Sequence, residues 1–314
     1  LRDEIAALLR GAGAEVVVDA PLAGRTWWGV GGAADLLVTA SRAEVVARAL
    51  EIAAEAALPV TPLGNASNLL ISDDGVRGVV LVLAGELADA ARDGDLLHVG
   101  GGADLVRLLR QADRAGWPGL GPLAGVPGTM GGAVVMNAGT HLGEVADILV
   151  DVDVALPGGA RATLPASALA LRYRSSTLPN GAVVLGATVR CAGDVEEGRQ
   201  KIREHLAYRA ATQPTHQRSC GSTFRNPPGT SAGRLIEACG LKGFTIGAAQ
   251  VSPKHANFVV NLGGATAAEL RAVVEHVRRV VAEREGVVLT PEVHLAGAWD
   301  TGWDDGQPSS STRN

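Results

Sequence analysis

Five glycines fall within the fifteen residues from Gly125 to Gly139, in the run Gly125-Val126-Pro127-Gly128-Thr129-Met130-Gly131-Gly132-Ala133-Val134-Val135-Met136-Asn137-Ala138-Gly139. Glycine loses more backbone freedom on folding than any other residue, so such a run carries an entropy cost that a plain loop rarely recovers. It fits a main chain pressed close to something else. Two partners suit it: a long ligand tail lying on backbone N–H groups, or a tight helix–strand contact. With no aromatic and no charged side chain in the run, a cofactor tail suits it better than a sugar or a metal.

Two further stretches share this small, polar character. Gly64-Asn65-Ala66-Ser67-Asn68 lies between the strand-like segments Val60-Thr61-Pro62-Leu63 and Leu69-Leu70-Ile71. A loop of that kind is either an ordinary β-turn or a nest of N–H groups for phosphate oxygens. Ser219-Cys220-Gly221-Ser222-Thr223-Phe224-Arg225-Asn226-Pro227-Pro228-Gly229 is too rich in glycine and proline for a helix or a central strand. It suits a short turn that is either an unremarkable polar surface or a holder of Ser222, Arg225 and Asn226 towards a ligand. Gly29, Gly31 and Ala34 imitate a dinucleotide fingerprint. The fingerprint needs a helix straight after the glycines, and Leu36-Leu37-Val38-Thr39 reads as a strand, so the match is false.

At 314 residues the chain has room for a large core and about two domains, at roughly 150 residues each. Its longest apolar runs, such as Gly78–Ala84, are strand-sized and far short of the ~20 residues of a membrane span. The first residues carry acids and no apolar signal core, so no export is expected and a cytoplasmic location is. A net charge of −5 without a basic tract argues against nucleic acid as a partner, and no obligate protein partner is indicated. Three cysteines without CxxC spacing fit a reducing compartment, and seven scattered histidines give no reason to expect a metal.

Periodicity predicts helices over 1–13, from the Ser41–Glu44 capping box to about Ala57, and over 103–115, 194–211 and 231–240. A second capping box at Thr266–Glu269 opens a helix to about Glu285. Val150–Val154 alternates as a half-exposed strand, and Ala182–Cys191 reads as a buried one. Pro291–Leu295 reads as a strand with Glu292 and His294 on one face. From Asp300 onward the composition reads as a disordered tail.

Four segments together resemble one family: Pro62–Leu70, Ala124–Ala133, Met136–Gly139 and Gly221–Pro227. Supporting matches are Tyr173–Ser176, Ser231–Ile236, Gly240–Gly243, Lys254–Phe258 and Pro291–Val293, all in family order. The family is the FAD-dependent UDP-N-acetylenolpyruvoylglucosamine reductases of peptidoglycan synthesis. The short interval between Arg174 and Ser222 resembles the shorter form, which lacks an inserted tyrosine-bearing loop. The resemblance implies an α+β chain: an FAD-binding domain of the vanillyl-alcohol-oxidase (PCMH) type in two lobes, then a C-terminal α+β substrate domain. The boundaries expected are an N-terminal helix and strand over 1–20, the flavin domain over 21–210, the substrate domain over 211–299 and the tail over 300–314.

By the same resemblance the cofactor is non-covalent FAD, NADPH is the co-substrate, and the partner is a small UDP-sugar. The cofactor residues it implies are Gly64, Asn65, Ala66, Ser67 and Asn68, with Gly125, Pro127, Gly128, Thr129, Gly131, Gly132, Ala133 and Asn137. It further implies that NADPH reduces FAD and leaves, and that the enolpyruvyl ether then enters the same cleft. Negative charge growing on the substrate carboxylate suits a guanidinium, which binds two oxygens and keeps its proton; Arg174 is the matching residue. Glu292 would orient the carboxylate or share a proton, and Ser222 would protonate the carbanion. Tyr173, Asn226 and Lys242 are the implied substrate contacts. The chain departs from the family pattern at Ala66 and Ala33, where glycine and proline are usual, at Thr140-His141-Leu142, and at His294, where arginine is usual.

Other readings stay open on sequence alone. Arg174 and Glu292 also suit surface roles, and Cys220 offers a thiol nucleophile. An oxidase of the same flavin fold, a serine hydrolase using Ser222 with His255 or His216, and an idle UDP-sugar or flavin-binding module are the rivals.

Overall fold

The computed structural model describes residues 2–303. By contact the described chain divides into two units. The first holds the residues up to Asp19, Asp35–Asn65 and Gly78–Ala207; the second holds Ala20–Ala34, Ala66–Arg77 and the residues from Tyr208. By contact, Ala20–Ala34 and Ala66–Arg77, expected outside the C-terminal domain and all but Ala20 within the flavin domain, group with the residues from Tyr208.

The first unit contains two sheets. One has four strands, in the spatial order Glu15–Pro21, Ala33–Ala40, Val76–Leu83, Val60–Pro62. Helices Arg2–Gly11 and Ala43–Glu55 share its core, where Ile5, Leu9, Val46 and Leu50 meet Leu36, Val38, Val79 and Leu81. The last strand pair is parallel, Val60 facing Val79 and Pro62 facing Leu81, and the Leu63 N–H continues the ladder to the Leu81 carbonyl. That pairing fixes where the Gly64 loop leaves the sheet. The second sheet is antiparallel and runs Arg161–Pro165, Leu149–Ala155, Val183–Arg190, Leu96–Gly100, Ala90–Asp93. Val152 and Val154 point into its core while Asp153 stays exposed, the alternation expected for a strand with one wet face.

One expectation changes here, and one reading left open for the glycine run is realised. The Ser41 capping box does not form: Arg42 is the N-cap residue without a side-chain bond, and Glu44 turns outward to pair with Arg161 at 2.9 Å. The glycine run contains a six-residue helix, Met130–Val135, capped by Thr129. Glycine is a poor helix former, and the contact made here offsets that propensity. Gly131 lies so close to the Val183–Arg190 strand and its neighbour that an added Cβ would sit 3.0 Å from the Gly101 carbonyl oxygen and 3.4 Å from that of Val184.

The second unit is built on helix Ala267–Glu285, a three-stranded antiparallel sheet of Thr245–Ile246, Ala249–Val251 and Val259–Asn261, and a parallel pair of Leu69–Ile71 with His294–Ala296. The capping box at this helix forms as expected, Thr266 and Glu269 each accepting the other's backbone N–H at 3.1 Å. Trp28 explains why Ala20–Ala34 belongs here. Its indole is fully buried and donates to the Val259 carbonyl at 2.8 Å, while its own carbonyl accepts from Asn261 at 2.8 Å. The false fingerprint is thus the approach to a core tryptophan, followed by the expected strand Ala33–Ala40. The expected strand over Pro291–Leu295 is shorter and later, His294–Ala296.

Of the expected tail, residues 304–314 lie outside the described residues. Residues 300–303 are placed: Arg271 donates to the Thr301 and Gly302 carbonyls, and Trp303 donates to the Val293 carbonyl at 2.8 Å. Among the described residues no helix is long and apolar enough to cross a membrane.

Candidate active site

In the first unit the two small-residue loops meet. An added Cβ on Gly64 would lie 2.5 Å from the Thr129 hydroxyl, so only glycine permits this approach. Asn65 donates to the Asp104 carboxylate at 2.5 Å, and the other Asp104 oxygen accepts the Arg107 N–H at 2.8 Å as the N-cap of helix Leu105–Ala115. Asp104 in turn bridges to Thr129 through flanking backbone bonds. Sequence reasoning missed Asp104. The signal was an acid directly before an apolar-periodic helix, which the expected span of 103–115 had placed inside the helix.

This corner of the first unit suits a diphosphate-bearing cofactor. It offers small residues and main chain, and its nearest carboxylate is held in hydrogen bonds to Asn65 and Arg107. The Thr129 hydroxyl accepts the Gly132 N–H at 3.4 Å, and Gly132 is exposed at the start of the short helix, where an added Cβ would meet only the Thr129 hydroxyl, at an ordinary 3.7 Å. Gly128, Thr129 and Ala133 are buried, while Gly125 and Pro127 are partly exposed. FAD, with its pyrophosphate, fits this set by its chemistry.

Asn137, expected at the cofactor, turns its side chain to the protein. The Asn137 side chain is only 1% exposed and is fully engaged. Its NH2 donates to the Glu144 carboxylate at 2.8 Å and to the Arg172 carbonyl at 3.1 Å, and its Oδ1 accepts the Ala146 N–H at 2.9 Å. An amide has two N–H groups to give, and both are used by protein. Its backbone sits in the left-handed region, φ +40°, which asparagine tolerates better than most residues.

Arg174 lies in the turn this amide touches. Arg172 and Ser175 exchange backbone hydrogen bonds of 2.9 and 3.0 Å, which puts Tyr173 and Arg174 at the tip. Arg174 has φ +55° at the turn's third position, where glycine or asparagine is usual. Its guanidinium donates to the Gly139 carbonyl at 3.2 Å and lies 5.1 Å from the centre of the half-exposed Tyr173 ring. Arg172, the neighbouring cation, is exposed.

The second unit assembles the Ser222 turn. The Thr223 carbonyl accepts the Glu292 N–H at 2.8 Å, and the Arg225 N–H donates to the Thr290 carbonyl at 2.9 Å. Ser222 and Glu292 are therefore carried on paired segments. Asn257, nearly fully buried, clamps the turn from the other side: it exchanges 2.9 and 2.8 Å bonds with the Phe224 N–H and carbonyl, and its own carbonyl accepts the Thr223 N–H at 2.8 Å. This residue belongs to the Lys254–Phe258 segment, and its role was not legible there. Asn226 is exposed and caps the following helix, its Oδ1 accepting the Ala232 N–H at 3.0 Å. Lys242 is paired with Glu237 at 2.7 Å, so a ligand phosphate has to compete for it.

Ala66 and Asn68 also lie in this unit. Ala66 is buried with φ +47°, the conformation for which glycine is the usual choice. Asn68, expected at the cofactor, donates its NH2 to the Glu292 carbonyl at 3.0 Å and accepts the His294 N–H at 3.0 Å. Ser67 is partly exposed beside it. His294 is exposed as a residue, yet the protein around its ring and then the Arg225 guanidinium push its pKa down.

Two rival chemistries lose their footing. The Cys220 thiol is buried against the Ala66 and Leu69 carbonyls, and burial pushes its pKa far up, which removes the thiolate a nucleophile needs. His255 accepts the Asn257 N–H at 3.2 Å, and among the described residues neither it nor His216 bonds Ser222. Among the described residues neither histidine is placed as the general base that a serine nucleophile needs.

Comparison with known proteins shows the family of the chain. A model of the UDP-N-acetylenolpyruvoylglucosamine reductase C-terminal domain matches residues 213–296, and an FAD binding domain model matches residues 34–164. The UDP-N-acetylenolpyruvoylglucosamine reductase of Anaeromyxobacter dehalogenans strain 2CP-1 is 47% identical over 297 residues, 94% of this chain and 89% of that one. UDP-N-acetylenolpyruvoylglucosamine reductase 2 of Symbiobacterium thermophilum is 43% identical over 279 residues, 88% of this chain and 91% of that one. Among solved structures, UDP-N-acetylenolpyruvylglucosamine reductase from Thermus caldophilus superposes with a TM-score of 0.79 at 39% identity, covering 90% of this chain and 98% of that one.

Proposed function

The chain belongs to the UDP-N-acetylenolpyruvoylglucosamine reductase family, and from that premise we propose that it uses NADPH, through bound FAD, to reduce the enolpyruvyl ether of UDP-N-acetylglucosamine to UDP-N-acetylmuramate. The observation that carries the reading is the meeting of Gly64 with Thr129, which joins the two loops suited to a diphosphate. When bound, FAD supplies the hydride chemistry.

The chain's own residues bind, orient and move a proton. Arg174 holds the substrate carboxylate, on which charge grows as the neighbouring carbon becomes an enolate; a guanidinium fixed in position strengthens its hold as that charge develops. Its strained backbone and its tie to Gly139 support such a role, since strain of this kind gathers at functional positions. Glu292 orients the carboxylate or shares its proton. Ser222, partly exposed on the turn that Asn257 clamps, gives its hydroxyl proton to the carbon next to the carboxylate. Tyr173, Asn226 and Lys242 contact the sugar diphosphate. The three cysteines are free thiols, in keeping with a reducing compartment such as the cytoplasm.

An anaerobic absorbance cycle tests the assignment. The purified protein should show a bound-flavin spectrum, lose it with NADPH, and regain it on addition of the enolpyruvyl UDP-sugar. Recovery with dioxygen alone and none with the UDP-sugar would point to an oxidase and overturn the proposal.

A further inference from the structure

We propose that Asn137 is the positioning residue for Arg174, setting the guanidinium from beneath its turn and leaving the cofactor to other groups. The inference rests on the assignment of Arg174 to the substrate carboxylate.

The turn is held at both ends by one short stretch. At its main-chain end, the Arg172 carbonyl accepts two hydrogen bonds, from the Ser175 N–H at 3.0 Å and from the Asn137 NH2 at 3.1 Å. At its side-chain end, the Arg174 guanidinium donates to the carbonyl of Gly139, two residues after Asn137. The adjoining Ser176 hydroxyl donates to the Val135 carbonyl at 2.8 Å, two residues before it. Asn137 is itself immobilised, by Glu144 through its second N–H and by the Ala146 N–H through its oxygen.

The energetics favour a fixed arrangement. A buried amide is costly to leave unsatisfied, and here every donor and the acceptor are engaged, one of them to a carboxylate. Arg174 at φ +55° relaxes towards the common regions once nothing restrains it. A carboxylate-binding guanidinium displaced by ~1 Å loses on the order of 100-fold in rate without losing its charge. Removing the Asn137 amide therefore acts on turnover through Arg174.

Asn137→Gly is the primary test, because glycine keeps the left-handed backbone and removes only the amide. Expected are unchanged FAD content, unchanged flavin reduction by NADPH, and a fall of about 10- to 100-fold in flavin reoxidation by the enolpyruvyl UDP-sugar. In the Arg174→Lys background the same change should cost less than about twofold more, because the geometry it supports is already lost. A wild-type reoxidation rate in Asn137→Gly, or a loss that multiplies with that of Arg174→Lys, overturns the proposal. Asn137→Asp is the second variant: it is nearly isosteric and keeps an acceptor for Ala146, but it sets a carboxyl group 2.8 Å from that of Glu144, so a loss at least as large is expected.

A crystal structure of either variant tests the inference independently of the reaction. The Arg172–Ser175 turn should shift and the Arg174–Gly139 bond should open; an unmoved turn overturns the proposal. If the wild type is not reoxidised by the UDP-sugar at all, the functional reading fails, while the structural comparison still decides the role of Asn137.

Discussion

Glu292 donates its backbone N–H to the carbonyl of Thr223, one residue beyond Ser222, at 2.8 Å. Two side chains far apart in sequence are thereby carried on neighbouring backbone, and Asn257 fixes the turn from the opposite side with bonds of 2.9 and 2.8 Å to Phe224. This separates the positioning of Ser222 from its chemistry. Ser222→Ala should leave the flavin spectrum and its bleaching by NADPH intact and slow reoxidation by the enolpyruvyl UDP-sugar by roughly 100- to 10,000-fold. Stopped-flow absorbance at the flavin band measures both steps, and an unimpaired second step removes Ser222 from proton transfer.

Ala66 and Gly64 should respond in opposite directions. Ala66 is buried at φ +47°, where a β carbon is strained, so Ala66→Gly should stabilise the protein by roughly 0.5–1 kcal/mol in urea unfolding. Gly64→Ala puts a methyl group against the Thr129 hydroxyl and should weaken both stability and FAD retention. Destabilisation by Ala66→Gly would mean that the packing of the methyl group outweighs the strain.

Acidification should weaken the fold. Burial, then Arg225, lowers the pKa of His294; burial, then Lys242, lowers that of His255; and burial, then Arg279, lowers that of His276. An unfolded chain, with imidazoles near 6.5, takes up these protons before the folded one does. The stability from keeping the rings neutral is therefore present above about pH 6.5 and is lost as pH falls below it towards the folded values. Urea midpoints at pH 7.5 and 5.5 should differ in that direction, and His294→Asn should narrow the gap. An equal gap in the variant would deny His294 a share.

The thiols should be inert in the folded protein. Cys191, Cys220 and Cys239 are free and buried, and burial raises the pKa of each. A neutral-pH thiol reagent should label none of them until the protein is unfolded, when all three should react. Rapid native labelling of Cys220 would restore a nucleophilic role for it.

The sequence was readable where chemistry is local. The glycine spacing of 125–139 pointed to close main-chain approach and the loop at 64–68 to a turn or an N–H nest, and the two are found packed together at Gly64 and Thr129. The Thr266–Glu269 capping box could be read because its two bonds join residues three apart. The similar pattern at Ser41 failed because Glu44 finds Arg161, a partner 117 residues away that no local pattern reveals. The helix Met130–Val135 was legible only as the alternative of a tight helix–strand contact, because its glycines' poor propensity is overridden by packing on a neighbouring strand. The two asparagines that hold the Arg172–Ser175 and Ser222 turns, Asn137 and Asn257, stood inside recognised motifs, but their partners Arg172 and Phe224 are long-range. Trp28 likewise draws Ala20–Ala34 into the second unit through a bond to Val259 that sequence cannot show.

The most direct measurement is the mass of the UDP-sugar product. The purified protein would be incubated anaerobically with NADPH and the enolpyruvyl ether of UDP-N-acetylglucosamine. Gain of two hydrogen atoms by the sugar nucleotide, with matching oxidation of NADPH, is the expected result. Recovery of the unsaturated substrate unchanged from a protein that holds FAD and accepts electrons from NADPH would contradict the proposed function.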